Sequence, residues 1–360
     1  MVSCGAQLSI EGLALVTPLV ALFPSLLLLH VIRCLDPIEK EPAKYTYWAV
    51  ILGCLSTIPV LILYDPFHEI LANLIQNSNA IYFFDAMYAP VVEEICKLGF
   101  LAFLLLAIRR EADSLVDFII YSAAIAIGFE LVENVIYQLS TLEESNPYQA
   151  WLYEFDGRTI SGIGSHLMYS VWNGAAIWAF LSFNKQRAKI FSAFMVFTGI
   201  GLHAINNFAA GMSHFGPPDE ILPVNHLGSI IYNINGHIAL AGFLGLVGAA
   251  VLFDAATLQM LSAEIIDKHG AGMSTDDKKK LRSLANPFLQ CLSSSDIVWR
   301  LSKKGREVKP KTKQFNRFAK YALAYGKELH HSRNHKYMST QKTSEIVLNA
   351  FKLVENFETG

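Results

Sequence analysis

Seven apolar stretches run along the first 253 residues, at about 12–32, 45–64, 81–108, 115–139, 160–183, 188–212 and 225–253. A helix rising about 1.5 Å per residue needs roughly 20 mostly apolar residues to cross about 30 Å of hydrocarbon. The pattern therefore predicts an all-α, polytopic bundle of about seven transmembrane helices. The third and seventh stretches are long enough to tilt or break, and Pro90 is the expected break point in the third. No basic segment precedes the first stretch and no small-residue cleavage site follows it, so it is expected to stay as a span.

From Asp254 the pattern changes to short amphipathic helices. One is expected to end at Gly270 and another to run from near Ser274 to Asn286-Pro287. A last one carries Ile346, Val347, Ala350, Phe351, Val354 and Phe357 on one face. The chain thus divides into a membrane domain, 1–253, and a small, mainly helical C-terminal region, 254–360.

Composition agrees with the membrane assignment. Charged residues are 17% of the chain, against about 25% in a soluble domain. The charge is also uneven. Residues 1–253 hold 10 Lys and Arg against 20 Asp and Glu, whereas residues 254–360 hold 19 against 11. With the N-terminus outside, the inner loops hold Arg33, Lys40, Lys44, Arg109, Arg110, Lys185, Arg187 and Lys189, and the outer loops hold Arg158 alone. That asymmetry predicts an N-out, C-in topology with the basic tail in the cytoplasm.

Lys278-Lys279-Lys280, Lys303, Lys304 and Arg306 suit either a solvated surface or anionic lipid headgroups. No nucleic-acid-binding motif accompanies them. The outer loop 140–159 is acidic (Glu143, Glu144, Glu154, Asp156) and large enough to take part in substrate recognition. Five cysteines (Cys4, Cys34, Cys54, Cys96, Cys291) lie singly, with neither disulfide nor zinc spacing.

Ionisable residues inside the spans carry the functional signal, because each costs about 2.5–3.5 kcal/mol at a helix centre. Glu93, Glu94 and Lys97 lie in the third stretch, Glu130, Glu133 and Asn134 in the fourth, His166 and Asn173 in the fifth, and His203, Asn206 and Asn207 in the sixth. At helical spacing Lys97 reaches both Glu93 and Glu94, and His203 shares a face with Asn207. The alternating topology puts all of these between mid-membrane and the outer leaflet. A lone intramembrane His or Asn is ordinarily a helix–helix hydrogen bond, and Asn233 and His237 are left at that. Four glutamates, however, exceed what one lysine neutralises.

In order along the chain, Glu93-Glu94-Ile-Cys-Lys97, Phe129-Glu130-Leu-Val-Glu133-Asn134, His166 to Gly174 and His203 to Asn207 resemble the four helix motifs of the PrsW-type intramembrane proteases. That family is distantly related to the CAAX prenyl endopeptidase and bacteriocin-immunity-type membrane proteins. The acidic, Pro-containing segment Asp36 to Pro42 and Arg158 fit the same pattern, which covers about residues 20–250. The resemblance implies a protease of the bacterial plasma membrane that cuts a membrane-anchored protein near the outer face. It also implies first-site cleavage of an anti-sigma factor as the family role. The tail from 254 falls outside the pattern.

Two adjacent carboxylates in a low-dielectric site share a proton rather than both ionising. The expected mechanism is therefore of the glutamic type, with no cofactor. Glu93 or Glu94 deprotonates water, and Lys97 balances the pair's charge. Glu130 and Glu133 orient water or His166. His203 and Asn207, with Asn134 nearby, supply donors to the developing oxyanion. Cys96, on another face, is expected to be packing. A metal-dependent peptidase would use Glu93, Glu94, Glu130, Glu133, His166 and His203 as its ligand pool, although no Glu-x-x-His or His-x-x-x-His spacing occurs in the spans. A metal- or proton-coupled transporter would also carry carboxylates at this depth, and a non-catalytic scaffold would use the same groups to join its helices.

Overall fold

The structure is a computed structural model. It describes residues 9–36, 41–75, 78–109, 111–183, 186–213, 222–269 and 345–350, with scattered positions between 271 and 281 and residue 352. Among the described residues the principal helices are α1 (Ile10–Arg33), α2 (Ala43–Leu55), α3 (Thr57–Leu74), α4 (Ser78–Ala107), α5 (Leu115–Ser140), α6 (Pro147–Glu154), α7 (Ser165–Ser182), α8 (Gln186–Ser213) and α9 (Pro223–His269), and there is no strand.

Five segments are long and apolar enough to cross a membrane: α1, the α2–α3 pair, α5 with the turn after it, α8 and α9. Large apolar side chains such as Leu15, Phe23, Phe197 and Leu252 are exposed along them. Water would penalise such a surface, and lipid accepts it. The remaining two apolar stretches, α4 and α7, also carry polar groups. α4 contains Asp85, Glu93, Glu94 and Lys97, and α7 is 18 residues long with His166 and Asn173 along it.

α5 is the hub, packed against α1, α2, α4, α7 and α9. Of its apolar core window, 89% is buried, so this helix meets protein on nearly every side. Glycines permit the closest approaches. A Cβ built on Gly53 of α2 would lie 2.0 Å from the Ile125 carbonyl oxygen of α5, and one on Gly128 of α5 would lie 2.0 Å from the Val50 carbonyl oxygen of α2. On the other flank a Cβ on Gly174 of α7 would lie 2.2 Å from the Phe118 carbonyl oxygen. Small residues at crossings are how membrane helices gain packing energy without a hydrophobic driving force.

The start of α5 is fixed by a capping box in which Ser114 and Asp117 bond reciprocally. Beside it Tyr121 donates a hydrogen bond to the Glu41 carboxylate, which ties the α1–α2 connection to the hub. Asp36, Glu41 and Asp117 form a buried acidic group there.

Four features depart from the sequence pattern. The second stretch continues past 64 to Leu74, with only a local irregularity at Ser56. α4 passes through Pro90 without a break. The fifth stretch is interrupted. A π-helical segment, Phe155–Ser161, leads into Gly164 at φ 76°, and α7 starts afresh at Ser165. Finally, α9 crosses position 254 unbroken and ends at His269, so the expected boundary falls inside a helix. Lys279, Lys280, Lys303, Lys304, Arg306, Phe351, Val354, Phe357, Cys4 and Cys291 lie outside the described residues, as do the inner-loop residues Lys40, Arg110 and Lys185.

Candidate active site

Four helices aim the polar residues at one another. α4 presents Glu93, Glu94 and Lys97, all buried. The Lys97 ammonium lies 2.9 Å from Glu94 Oε1, 3.4 Å from Glu93 Oε2 and 2.8 Å from His166 Nδ1. It also sits 3.8 Å from the centre of the Phe129 ring, a cation–π contact. This explains how a lysine tolerates complete burial.

The two adjacent glutamates have different surroundings. Glu94 is saturated. Beyond Lys97, it lies 3.2 Å from His203 Nδ1 and accepts from Ser170 Oγ at 2.8 Å and Asn173 Nδ2 at 3.0 Å. Glu93 is held more loosely, with its Oε2 3.8 Å from His166 Nδ1 and 3.7 Å from His203 Nε2. The division of roles left open by the sequence is therefore asymmetric: Glu94 is an anchor and Glu93 faces the histidines.

α5 contributes two carboxylates with separate tasks. Glu133 Oε2 lies 2.6 Å from His166 Nε2 and 3.4 Å from Arg158, whose guanidinium stacks 3.5 Å over Tyr137. Glu130 accepts the backbone N–H groups of Gly164 (2.8 Å) and His166 (3.3 Å) at the start of α7. The left-handed Gly164 turns the chain so that these donors face a carboxylate, and the positive end of α7 favours the charge. Glu133 thus orients the His166 ring, and Glu130 positions its backbone. Neither was separable by spacing.

His166 and His203 meet edge to face, with ring planes 87° apart and centres 4.8 Å apart, and Tyr169 stacks on His203 at 4.9 Å. A cavity of about 160 Å³ opens beside them, lined by Glu133, Asn134, His166, His203, Asn206 and Asn207. It shares Gly157, Arg158, Asn207, Ala210 and Tyr232 with a cleft of about 800 Å³. The structure brings together all nine residues expected from the sequence, with Glu130 facing the backbone of α7. Cys96 packs with Val60, Val92 and Phe129, as expected. Sequence reasoning left Ser170, Tyr169 and Asn173 out of the site. Ser170 and Asn173 lie one and two turns beyond His166 on α7, and that spacing was the available signal.

Ligand atoms of Glu93, His166 and His203 lie within 4.8 Å of one another. Two histidines and a carboxylate are the donor set of open catalytic zinc sites. Each histidine also has a carboxylate at its other nitrogen, Glu133 for His166 and Glu94 for His203, the usual support of a metal-binding imidazole. The donor set fits a divalent ion, provided the Lys97 ammonium withdraws from His166 Nδ1, the nitrogen that faces Glu93. Their spread over three helices explains why no short ligand motif appears in the sequence.

Residues 41–232 match the model of the PrsW family of intramembrane metalloproteases. This chain belongs to that family. Similarity to two curated relatives agrees. The chain is 26% identical to Protease PrsW of Clostridioides difficile over 53% of its own length and 77% of the relative's. It is also 26% identical to Protease PrsW of Geobacillus kaustophilus over 48% and 71% respectively. No solved structure matches. The PrsW-matching region ends in α9, upstream of the tail.

Proposed function

We propose that this PrsW family protease hydrolyses a peptide bond of a membrane-anchored protein at the Glu93, His166 and His203 centre, on the outer side of a bacterial plasma membrane. The observation that carries this is the convergence of those three side chains beside a cavity that shares five lining residues with a larger cleft. A single-span, anti-sigma-factor-like protein is the substrate class that the family resemblance favours. The positive-inside asymmetry supports seven spans with N-out and C-in, which sets the site between mid-membrane and the outer leaflet.

A divalent ion held by Glu93, His166 and His203 would polarise a peptide carbonyl and lower the pKa of bound water. The chain's own groups do the rest. Glu133 and Glu94 fix the two rings. Lys97 balances the buried carboxylates. Asn206 and Asn207 offer amide donors to the carbonyl oxygen as it gains charge.

A metal-free, glutamic mechanism is the second reading, and the Lys97 ammonium on His166 Nδ1 favours it, since it already supplies a cation there. Glu93 then takes a proton from water as the oxygen bonds to the carbonyl carbon. The same proton passes to the departing amine as the C–N bond breaks.

Metal analysis of the purified full-length chain decides between the two. Near one equivalent of metal, lost in His203→Ala, and cleavage abolished by chelator and restored by metal support the first. Cleavage at full rate by metal-free protein would refute it and leave the second. Absence of proteolysis with or without metal would refute both.

A further inference from the structure

The large cleft extends well beyond the catalytic cavity, and its wall is acidic. Its ionisable lining residues are Asp85 on α4, Glu154 at the end of α6 and Arg158 in the π-helical segment. Arg158 is committed, lying 3.4 Å from Glu154, 3.4 Å from Glu133 and over the face of Tyr137. It therefore leaves no arginine or lysine in the cleft wall to pair with Asp85. The Asp85 carboxylate is fixed through Oδ2 by His68 Nδ1 at 2.8 Å, and Tyr64 stacks on the His68 ring. Its Oδ1 is buried and has no partner among the described residues, and the side chain as a whole keeps 15% exposure. Such an under-partnered carboxylate in a cleft wall costs free energy unless a ligand supplies donors.

We propose that Asp85 is a specificity determinant that receives a lysine or arginine side chain of the polypeptide substrate, held in this cleft. The inference rests on the proteolytic function above and names the substrate chemistry for that same site. Geometry also gives the register. Asp85 lies eight residues before Glu93 on one helix, about 12 Å along its axis. An extended strand covers that distance in about four residues. The basic residue therefore lies about four positions from the scissile bond. Glu143, Glu144 and Asp156, in the same acidic loop as Glu154, add a field that draws basic segments toward the cleft.

Two measurements on the full-length chain in detergent test this. The first is fluorescence anisotropy with the Glu93→Gln variant, so that binding is read without turnover. The probes are dye-labelled ten-residue Gly/Ala/Ser peptides with one central Lys, Gln or Glu. The Lys peptide is expected to bind about tenfold tighter than the Gln peptide, a ratio falling to about one when Asp85→Asn is added and retained with Asp85→Glu. Equal affinity for all three peptides, a Lys preference that survives Asp85→Asn, or no binding at all would overturn the proposal.

The second measurement digests a mixed peptide pool with the wild-type chain and maps the cuts by mass spectrometry. Lys and Arg are expected to be enriched about four residues from the cut, and Asp85→Asn should flatten that enrichment. Cutting without a basic preference defeats this inference and leaves the protease function standing. A binding preference without any cutting does the reverse.

Discussion

Glu93 and Glu94 are neighbours of identical chemistry, yet their replacement by glutamine is expected to fail in different ways. Glu94 has a fully buried side chain and meets four donors, two at each oxygen. A glutamine keeps one carbonyl oxygen and turns the other into a donor, so whichever way it flips, two donor groups face an NH₂. Lys97, itself buried, would be left with Glu93 at 3.4 Å as its remaining carboxylate. Removing one partner of a buried pair costs about 3–5 kcal/mol, a large part of a typical stability of about 5–15 kcal/mol. Glu93 has looser contacts at 3.4–3.8 Å. Its glutamine variant leaves Lys97 paired with Glu94, so the expected cost is only about 1 kcal/mol. Activity should nevertheless fall at least about 10²-fold, because the group facing both histidines is changed. The assay pairs thermal unfolding of the detergent-solubilised chain with cleavage of a tethered reporter at matched protein level. Glu94→Gln should lower the unfolding temperature and the yield, and Glu93→Gln should lose cleavage at near wild-type stability. Equal stability loss in the two variants would refute the assignment of anchor and reactive carboxylate.

Gly128→Ala should destabilise by about 1–3 kcal/mol, since its Cβ meets Val50 backbone at 2.0 Å, whereas Gly201→Ala, with nothing within 4 Å, should be neutral in the same unfolding assay. Burial, and after it the neighbouring Asp117 carboxylate, pushes the Glu41 carboxyl up to about 11 from an ordinary 4.5. The folded chain therefore holds a proton there that the unfolded chain releases. Stability should be greatest below about pH 4.5 and fall as pH rises toward 11, by up to about 1.4 kcal/mol per unit. Glu41→Gln should remove that slope between pH 5 and 8, and parallel curves for the two proteins would disprove the shift. A reporter enzyme active only outside the cell should work when inserted within 141–146 and fail when fused after residue 269. The opposite result would invert the topology.

Much of the site was legible because charge inside an apolar span is expensive and helical spacing is regular. Glu93, Glu94, Lys97, Glu130, Glu133, His166 and His203 stood out on that ground alone. What spacing could not supply was partnership between helices. That Glu133 holds an imidazole while Glu130, one turn away, holds backbone N–H groups depends on how α7 begins, and Gly164 decides that through a backbone angle. Pro90 sits inside an intact helix because a surrounding bundle tolerates a missing backbone bond that an isolated helix would not. Hydropathy falls after 253 while α9 continues to His269, with Leu258, Leu261 and Ile265 wholly buried, so the change in pattern there does not mark a helix end. Glu93, His166 and His203 form no short sequence motif for a related reason, since they come from α4, α7 and α8.

The glycine crossings on both flanks of α5 also limit how a substrate can enter. Backbone atoms of α2 and α7 rest directly against α5 at Gly53, Gly128 and Gly174, leaving no side-chain cushion that could slide or swing. Those seams behave as welds. Any parting wide enough to pass a polypeptide must open elsewhere, where the large cleft is walled by α3, α4, Tyr137 of α5, the 153–161 segment, α8 and α9. The substrate would then reach the histidines on α7 and α8 through that cleft, past Tyr137 of the rigid α5.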